Sequence, residues 1–190
     1  MHRDLCPPNV LVSTNGEVKL TDFGIARSLA DASESLTKHV SGHSGYMAPE
    51  QARAEAFDIR ADLFPLGVIG WEMLAQRRLF ASGNATASLF ALLTDEVLPI
   101  TVIRPQLDPR WEPFLERALA REPDKRFATA QEMLAALDAI PESRGSGVEQ
   151  LGKLVTQLLA TPQAPALEMN DEATAMETAT RTQSVRAGSG

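Results

Sequence analysis

The chain has 190 residues, of which 44% are hydrophobic, and its formal net charge is −7. This length suits one domain with a tail, and the acidic balance argues against nucleic acid or an anionic membrane as the main partner. The single cysteine, Cys6, excludes an internal disulfide and a cysteine-rich zinc site. The best apolar run, residues 63–74, is too short to cross a bilayer, and the start does not resemble a signal peptide. We therefore expect no membrane segment and a cytoplasmic location.

The first predicted element is a β-hairpin. Two short apolar-rich runs, residues 9–12 and 17–20, flank the sequence Ser13-Thr14-Asn15-Gly16. Asn-Gly favours the positive φ angles of a tight turn, so the runs are predicted to pair. Residues 21–49, rich in Ser and Gly, predict an irregular stretch.

From residue 50 onward the patterns predict helices. Residues 61–76 are apolar on nearly every face, which is typical of a helix buried in a core, and Pro65 suits its first turn. Residues 86–94 predict a short helix. Apolar side chains at helical spacing predict two more helices, the second capped by Thr129: Trp111, Phe114, Leu115, Ala118 and Leu119, then Met133, Leu134, Leu137 and Ile140.

The C-terminal part changes in composition. Residues 141–147 have the composition of a linker, and residues 148–160 form an amphipathic pattern that predicts one more helix. Residues 161–190 are rich in Thr, Ala and Glu without periodicity, which predicts a disordered tail.

Three oxygen-bearing side chains form the candidate reactive site. Asn9 follows Asp4 by five residues, and Asp22 lies just beyond the hairpin. Mg²⁺ prefers such hard oxygen ligands and leaves room for substrate phosphates. Phosphoryl transfer needs this arrangement, because positioning and charge neutralisation supply most of its catalysis.

Several longer motifs carry a family resemblance. The segments "HRDLCPPNVL", "TDFGIAR", "GYMAPEQ", "DIRADLFPLGVIGWEML" and "REPDKRFATAQEMLAAL" occur in this order. Together they resemble the C-terminal lobe of a bacterial eukaryotic-like Ser/Thr protein kinase over residues 1–140. The resemblance implies a mostly α-helical fold with one small hairpin, and it implies Mg²⁺ and ATP as cofactors.

The resemblance also implies a role for each matching residue. Asp4 would take the proton of the substrate hydroxyl, while Asn9 and Asp22 would be the magnesium ligands. Arg3 would contact a phosphorylated activation segment running from Asp22 to Glu50.

Other matches imply regulatory or structural roles. Phe23 and Gly24 complete the "DFG" motif. Glu50 would pair with Arg126, and Asp62 would accept hydrogen bonds from the backbone of the catalytic loop.

Two positions depart from the family pattern. Cys6 stands where the family usually has Lys, and His43 stands where it usually has Thr. Losing one group that stabilises a transition state typically costs about 10²–10³ in rate. The change at position 6 is interpreted as drift, and the alternative is a reactive or redox-sensing thiol with a lowered pKa.

The resemblance begins inside the catalytic loop, so the Gly-rich loop and strand lysine of the family are missing from this sequence. We therefore expect a truncated kinase in which Phe64, Ile69 and Trp71 lose part of their cover. Two functions stay open: an impaired Ser/Thr kinase fragment that acts on protein substrates, and a non-catalytic pseudokinase module that binds a partner kinase or substrate.

The tail adds one weaker hypothesis. Phosphorylation of its threonines could recruit a phosphopeptide-binding partner; the candidates are Thr174, Thr178, Thr180 and Thr182.

Overall fold

The computed structural model describes residues 1–23, 44–80, 84–143 and 147–161. The chain divides into two units, Met1–Val155 and Thr156–Gly190, and the described part of the second unit is residues 156–161. Most of the predicted activation segment, residues 24–43, and the Thr-rich tail from residue 162 onward lie outside the described residues.

The predicted hairpin is confirmed. Strands β1 (Val10–Val12) and β2 (Val18–Leu20) pair antiparallel, with Val12 opposite Val18. The turn closes through a 2.9 Å hydrogen bond from the Gly16 amide to the Ser13 carbonyl. Within this turn only Gly16 has a positive φ, 79°, so the glycine alone supplies the left-handed conformation that the Asn-Gly pattern predicted.

The remaining described elements are helical, which confirms a mostly α-helical fold with one hairpin. The α-helices are α1 (Pro49–Ala52), α2 (Leu63–Ala75), α3 (Ala85–Thr94), α4 (Ile100–Ile103), α5 (Trp111–Ala118), α6 (Ala130–Asp138) and α7 (Gly147–Ala160). Short 3-10 turns join them at Pro7–Asn9, Ser44–Tyr46, Ile59–Asp62, Pro123–Lys125 and Pro141–Ser143. In the described part of the chain, none of the helices is long and apolar enough to cross a bilayer.

Helix α2 forms the centre of the core. Pro65 is its third residue, within the first turn, where a proline costs little. Phe64 and Trp71 are 1% and 2% exposed, so the expectation that they lose cover is wrong. Phe80 stacks on Phe64, and the Trp71 indole is covered by Arg77 and donates to the Leu98 carbonyl at 3.2 Å.

Cover is less complete at other positions of α2. Ile69 is half-buried, and Met73 is 68% exposed, beside Pro7 and Val10 of the N-terminal segment. Phe80, Arg77 and Leu98 provide the cover that Phe64 and Trp71 keep. Helix α2 also packs closely on α5. A Cβ at Gly67 would lie 2.9 Å from the Cβ of Ala118, so a glycine is needed for this approach.

Helix termini are capped where the sequence indicates. Thr129 Oγ1 accepts a hydrogen bond from the Glu132 amide at 3.1 Å, which makes it the N-cap of α6. Asn84 Oδ1 does the same for Ala87 at the start of α3. Helix α4 was not predicted, since its four residues are too few to show a helical repeat.

One buried ion pair joins helix α1 to the segment between α5 and α6. Arg126 donates to both carboxylate oxygens of Glu50 at 2.7 Å, and the two side chains are 0% and 3% exposed. The guanidinium also donates to the carbonyls of Ala120, Arg121 and Arg60. All five of its N–H groups can thus be satisfied, which a buried charge requires.

We expect Arg126→Met to destabilise the fold by about 3–5 kcal/mol, because it leaves the Glu50 carboxylate buried without its partner. The matched control is Lys125→Met, which breaks an exposed pair with Glu122. The control should change the free energy of unfolding by less than about 1 kcal/mol. Urea unfolding of the three proteins measures both, and equal stability losses would contradict this account of Arg126.

Candidate active site

A carboxylate at the start of α2 holds the loop that precedes the hairpin. Asp62 Oδ2 accepts from the His2 amide at 2.6 Å, and Asp62 Oδ1 accepts from the Arg3 amide at 2.7 Å. Arg3 has a φ of 73°, which is uncommon for a residue with a side chain. Gln51 Nε2 donates to the Arg3 carbonyl at 3.2 Å, so both sides of this unusual backbone are held.

Within the loop, Asp4 and Asn9 lie in contact. Asn9 is 7% exposed, and its Nδ2 donates to the Asp4 carbonyl at 2.8 Å. The same nitrogen is 3.5 Å from Asp4 Oδ2. The Asn9 carbonyl in turn accepts from the Thr21 amide at 2.9 Å, which closes the base of the hairpin.

His2 links the loop to the residues after β2. Its Nε2 lies 2.9 Å from the Thr21 carbonyl, and its Nδ1 lies 3.4 Å from the Asp4 amide. A carbonyl can only accept and an amide can only donate, so the ring carries its proton on Nε2. The ring also packs on Phe23 at 4.6 Å between centroids. Asp22, between Thr21 and Phe23, is exposed and has a left-handed φ of 54°.

Cys6 is buried beside the two acids. It is 0% exposed, and its thiol donates to the Asp4 carbonyl with an S···O distance of 3.7 Å. Burial raises the pKa of the Cys6 thiol, and the negative charges of Asp4 and Asp22 raise it further. The thiol therefore stays protonated at neutral pH. This is the opposite of the cationic, accessible environment that activates a cysteine.

The donor set suits magnesium. Asn9 directs its Nδ2 to Asp4, so Oδ1 is the amide atom that can coordinate a metal, and Asp22 offers a carboxylate. Both are hard oxygen ligands, and Mg²⁺ is usually held by one or two such groups together with water and substrate phosphates. The described residues include no cluster of three or more His, Cys, Asp or Glu side chains that could hold a metal ion.

The other predicted residues lie in the core, in the loop, or outside the described residues. Glu50 and Arg126 form the buried pair of the core, and Asp62 joins the core to the loop. Arg3 is half-buried in that loop. Gly24 and His43 lie outside the described residues.

Two residues that contribute to the site were not singled out from the sequence. His2 precedes Arg3 in the "HRD" motif, and its ring contacts the residues on both sides of Asp22. Gln51 follows Glu50 in "APEQ" and holds the Arg3 carbonyl. Their positions beside motif residues were the available signal. Their roles depend on contacts across 19 and 48 residues, which no local pattern reveals.

Comparison with known proteins gives a consistent match. The family description "Protein kinase domain" matches residues 1–137. Tyrosine-protein kinase MasK of Myxococcus xanthus is 40% identical over 154 residues, which cover 80% of this chain and 24% of that protein. Serine/threonine-protein kinase PknB of Mycolicibacterium smegmatis is 34% identical over 168 residues, which cover 86% of this chain and 27% of that protein.

A third relative extends the comparison. Serine/threonine-protein kinase PknL of Mycobacterium tuberculosis is 35% identical over 142 residues, which cover 75% of this chain and 36% of that protein. The chain thus spans about a quarter to a third of the length of these three relatives.

The environment of Cys6 predicts a poorly reactive thiol. In the native protein, iodoacetamide should alkylate Cys6 at least about tenfold more slowly than in the urea-unfolded chain. The folded protein shields the sulfur from the reagent and lowers the fraction of Cys6 present as thiolate. The experiment is unambiguous since Cys6 is the only cysteine. Mass spectrometry of timed samples gives the rate, and native alkylation as fast as the unfolded reaction would restore the redox-sensor hypothesis.

Proposed function

Because this chain belongs to the protein kinase family, we propose that it is the catalytic lobe of a Ser/Thr protein kinase, acting on protein hydroxyls with reduced efficiency. The observation that carries the proposal is the contact between Asp4 and Asn9, made by the 2.8 Å bond from Asn9 Nδ2 to the Asp4 carbonyl. It joins the residue proposed as proton acceptor to a residue proposed as metal ligand, at the base of the hairpin that leads to Asp22.

In this proposal Asp4 orients the substrate hydroxyl and accepts its proton as the hydroxyl oxygen bonds to the γ-phosphorus of ATP, while the bond from that phosphorus to the β,γ-bridging oxygen breaks and ADP leaves. Asn9 Oδ1 and the Asp22 carboxylate would hold Mg²⁺, which when bound would neutralise the charge of the phosphates. The bond from Asn9 Nδ2 to Asp4 keeps the two groups in fixed relation. Such positioning is the larger part of catalysis in phosphoryl transfer.

The reduced efficiency follows from charge. Cys6 is a neutral thiol whose pKa is raised by burial and by the charges of Asp4 and Asp22, at the position where the family usually has a lysine. A neutral side chain cannot compensate the negative charge that develops on the transferred phosphoryl group. The missing cation corresponds to a loss of about 10²–10³ in rate. By the family resemblance, the Thr that His43 replaces bridges the catalytic Asp and Lys, so a second position of that set differs in this chain.

Binding of Mg²⁺–ATP to the 190-residue chain is the first test. We expect a concentration-dependent rise in the melting temperature, because a ligand that binds only the folded state stabilises it. Asp22→Ala should abolish the rise, since it removes a proposed metal ligand. Glu17→Ala, which removes an exposed acid from the turn of the same hairpin, should keep it. A rise that survives Asp22→Ala would contradict the assignment of Asp22.

The proposed charge defect predicts a gain of function. Cys6→Lys should raise the rate of phosphoryl transfer to a generic protein substrate by about 10²-fold. Cys6→Met is the matched control, because its unbranched side chain also exceeds cysteine in length and brings no charge. Transfer of radioactive phosphate from labelled ATP measures the rates. Equal rates for the Lys and Met variants would show that charge at position 6 is not the limiting defect.

A second candidate function is a non-catalytic interaction module. The neutral Cys6 favours it, because a lobe without the cation can keep its fold while losing transfer. A chain that melts cooperatively but shows no response to Mg²⁺–ATP would support this alternative. Its partner would then be a kinase or the protein substrate of one.

The proposal extends to location and to the tail. A Ser/Thr kinase lobe with protein substrates is expected in the cytoplasm.

The tail threonines, which lie outside the described residues, are proposed as sites whose phosphorylation recruits a phosphopeptide-binding protein. Mass spectrometry of the native protein tests this hypothesis, and finding no phosphate on any of the four threonines would exclude it. The four threonines are Thr174, Thr178, Thr180 and Thr182.

A further inference from the structure

Helix α7 packs against the turn of the hairpin through two glycines. A Cβ on Gly152 would lie 2.5 Å from the Thr14 carbonyl oxygen and 2.9 Å from the Gly16 nitrogen. A Cβ on Gly16 would lie 1.7 Å from the Val148 carbonyl oxygen. Contacts this short with backbone atoms are not possible for a real side chain, so the approach of helix and turn depends on both glycines.

The contact lies beyond the part of the chain that the family description covers. That match ends at residue 137, whereas α7 begins at Gly147. Gly152 is buried, while its neighbour Lys153 is exposed, so this position of the helix faces the turn. The helix therefore adds a contact to the kinase lobe that the kinase motifs do not predict.

The turn that receives α7 is well ordered by its own hydrogen bonds. Ser13 Oγ accepts from the Asn15 amide at 3.2 Å and from the Glu17 amide at 3.1 Å. The Ser13 amide donates to the Glu17 carbonyl at 2.9 Å. The turn is thus a defined surface for the helix to pack on.

The strands on either side of the turn need outside support. Each has only three residues, and Leu11 and Val18 are both 54% exposed. An isolated two-stranded hairpin is marginally stable in water. Yet this hairpin connects Asn9 to Asp22, and its base closes through the bond from the Thr21 amide to the Asn9 carbonyl.

We propose that α7 is a positioning element of the active site. It clamps the turn of residues 13–17 and so holds the hairpin whose two ends carry Asn9 and Asp22. Binding of Mg²⁺–ATP is then coupled to the docking of α7, and release of the helix weakens the site. The inference rests on the proposed function for the roles of Asn9 and Asp22.

The first measurement tests the clamp without any ligand. Gly152→Ala should accelerate amide hydrogen exchange at Gly16 and Thr21 by at least about tenfold, because it forces the helix off the turn. Gly147→Ala is the matched control, since among the described residues no atom lies within 4 Å of a Cβ built there. Its exchange at both amides should equal that of the unmodified chain. Equal exchange in the two variants would overturn the clamp.

The core provides an internal check on folding. The Leu119 amide, bonded to the Leu115 carbonyl at 2.8 Å in the core, should exchange at an unchanged rate in both variants. If Gly152→Ala also accelerates exchange of this amide, the whole fold is destabilised and a second experiment is needed. The free energies of unfolding of Gly16→Ala, Gly152→Ala and the double variant, measured in urea, then show whether the two glycines share one contact. A shared contact is lost only once, so the double variant should lose less stability than the sum of the single variants. Additive losses would overturn the clamp.

The second measurement tests the coupling to the site. Gly152→Ala should raise the dissociation constant for Mg²⁺–ATP at least about threefold, because a loosened hairpin holds the two proposed ligand residues less firmly. Gly147→Ala should leave the dissociation constant unchanged. An unchanged constant in a variant with a loosened hairpin would overturn the positioning role. If the unmodified chain does not bind Mg²⁺–ATP, the proposed function fails and the positioning role fails with it. The exchange result would still decide whether α7 clamps the turn.

Discussion

The Asp62 carboxylate joins the buried core to the candidate active site, and the geometry of the site depends on it. Asp62 precedes the first residue of α2, where an aspartate commonly caps the helix, yet its side chain makes no capping bond. It accepts instead from the amides of His2 and Arg3. Hydrogen bonds to a charged group are worth about 1.5–3 kcal/mol each, more than the roughly 1 kcal/mol of a cap. The backbone of the loop is therefore set by the most buried helix.

The sequence predicted those parts of the fold that depend on local patterns. The hairpin could be found because a single glycine enables its turn, and α2 could be found because nearly every face of it is apolar. Contacts between distant segments could not be found this way. The cover of Trp71 comes partly from the carbonyl of Leu98, and the contact of Gly152 with the turn joins segments more than a hundred residues apart. Neither leaves a periodic signal.

The same distinction holds within the site. The motifs gave the residue types at Asp4, Asn9 and Asp22 and their order along the chain. They did not give the state of Cys6, because a thiol can be activated or inert depending on its surroundings. Complete burial, together with the negative charges of Asp4 and Asp22, predicts a poorly reactive thiol, and only the three-dimensional arrangement provides that information. His2 was overlooked for a similar reason, since its contacts lie across the hairpin.

Two kinds of matching residue therefore carry different information about this chain. Glu50, Arg126 and Asp62 stabilise the lobe through buried charge pairs and backbone contacts, and they would be needed equally in an active kinase and in an inactive one. Their presence indicates how the chain folds. The charge balance around Asp4 and Asp22 bears on the chemistry, because phosphoryl transfer requires positive charge there. Under the proposed function, a protonated thiol at position 6 would leave more of that charge to Mg²⁺, so the efficiency of the lobe would depend strongly on how firmly the hairpin holds Asn9 and Asp22.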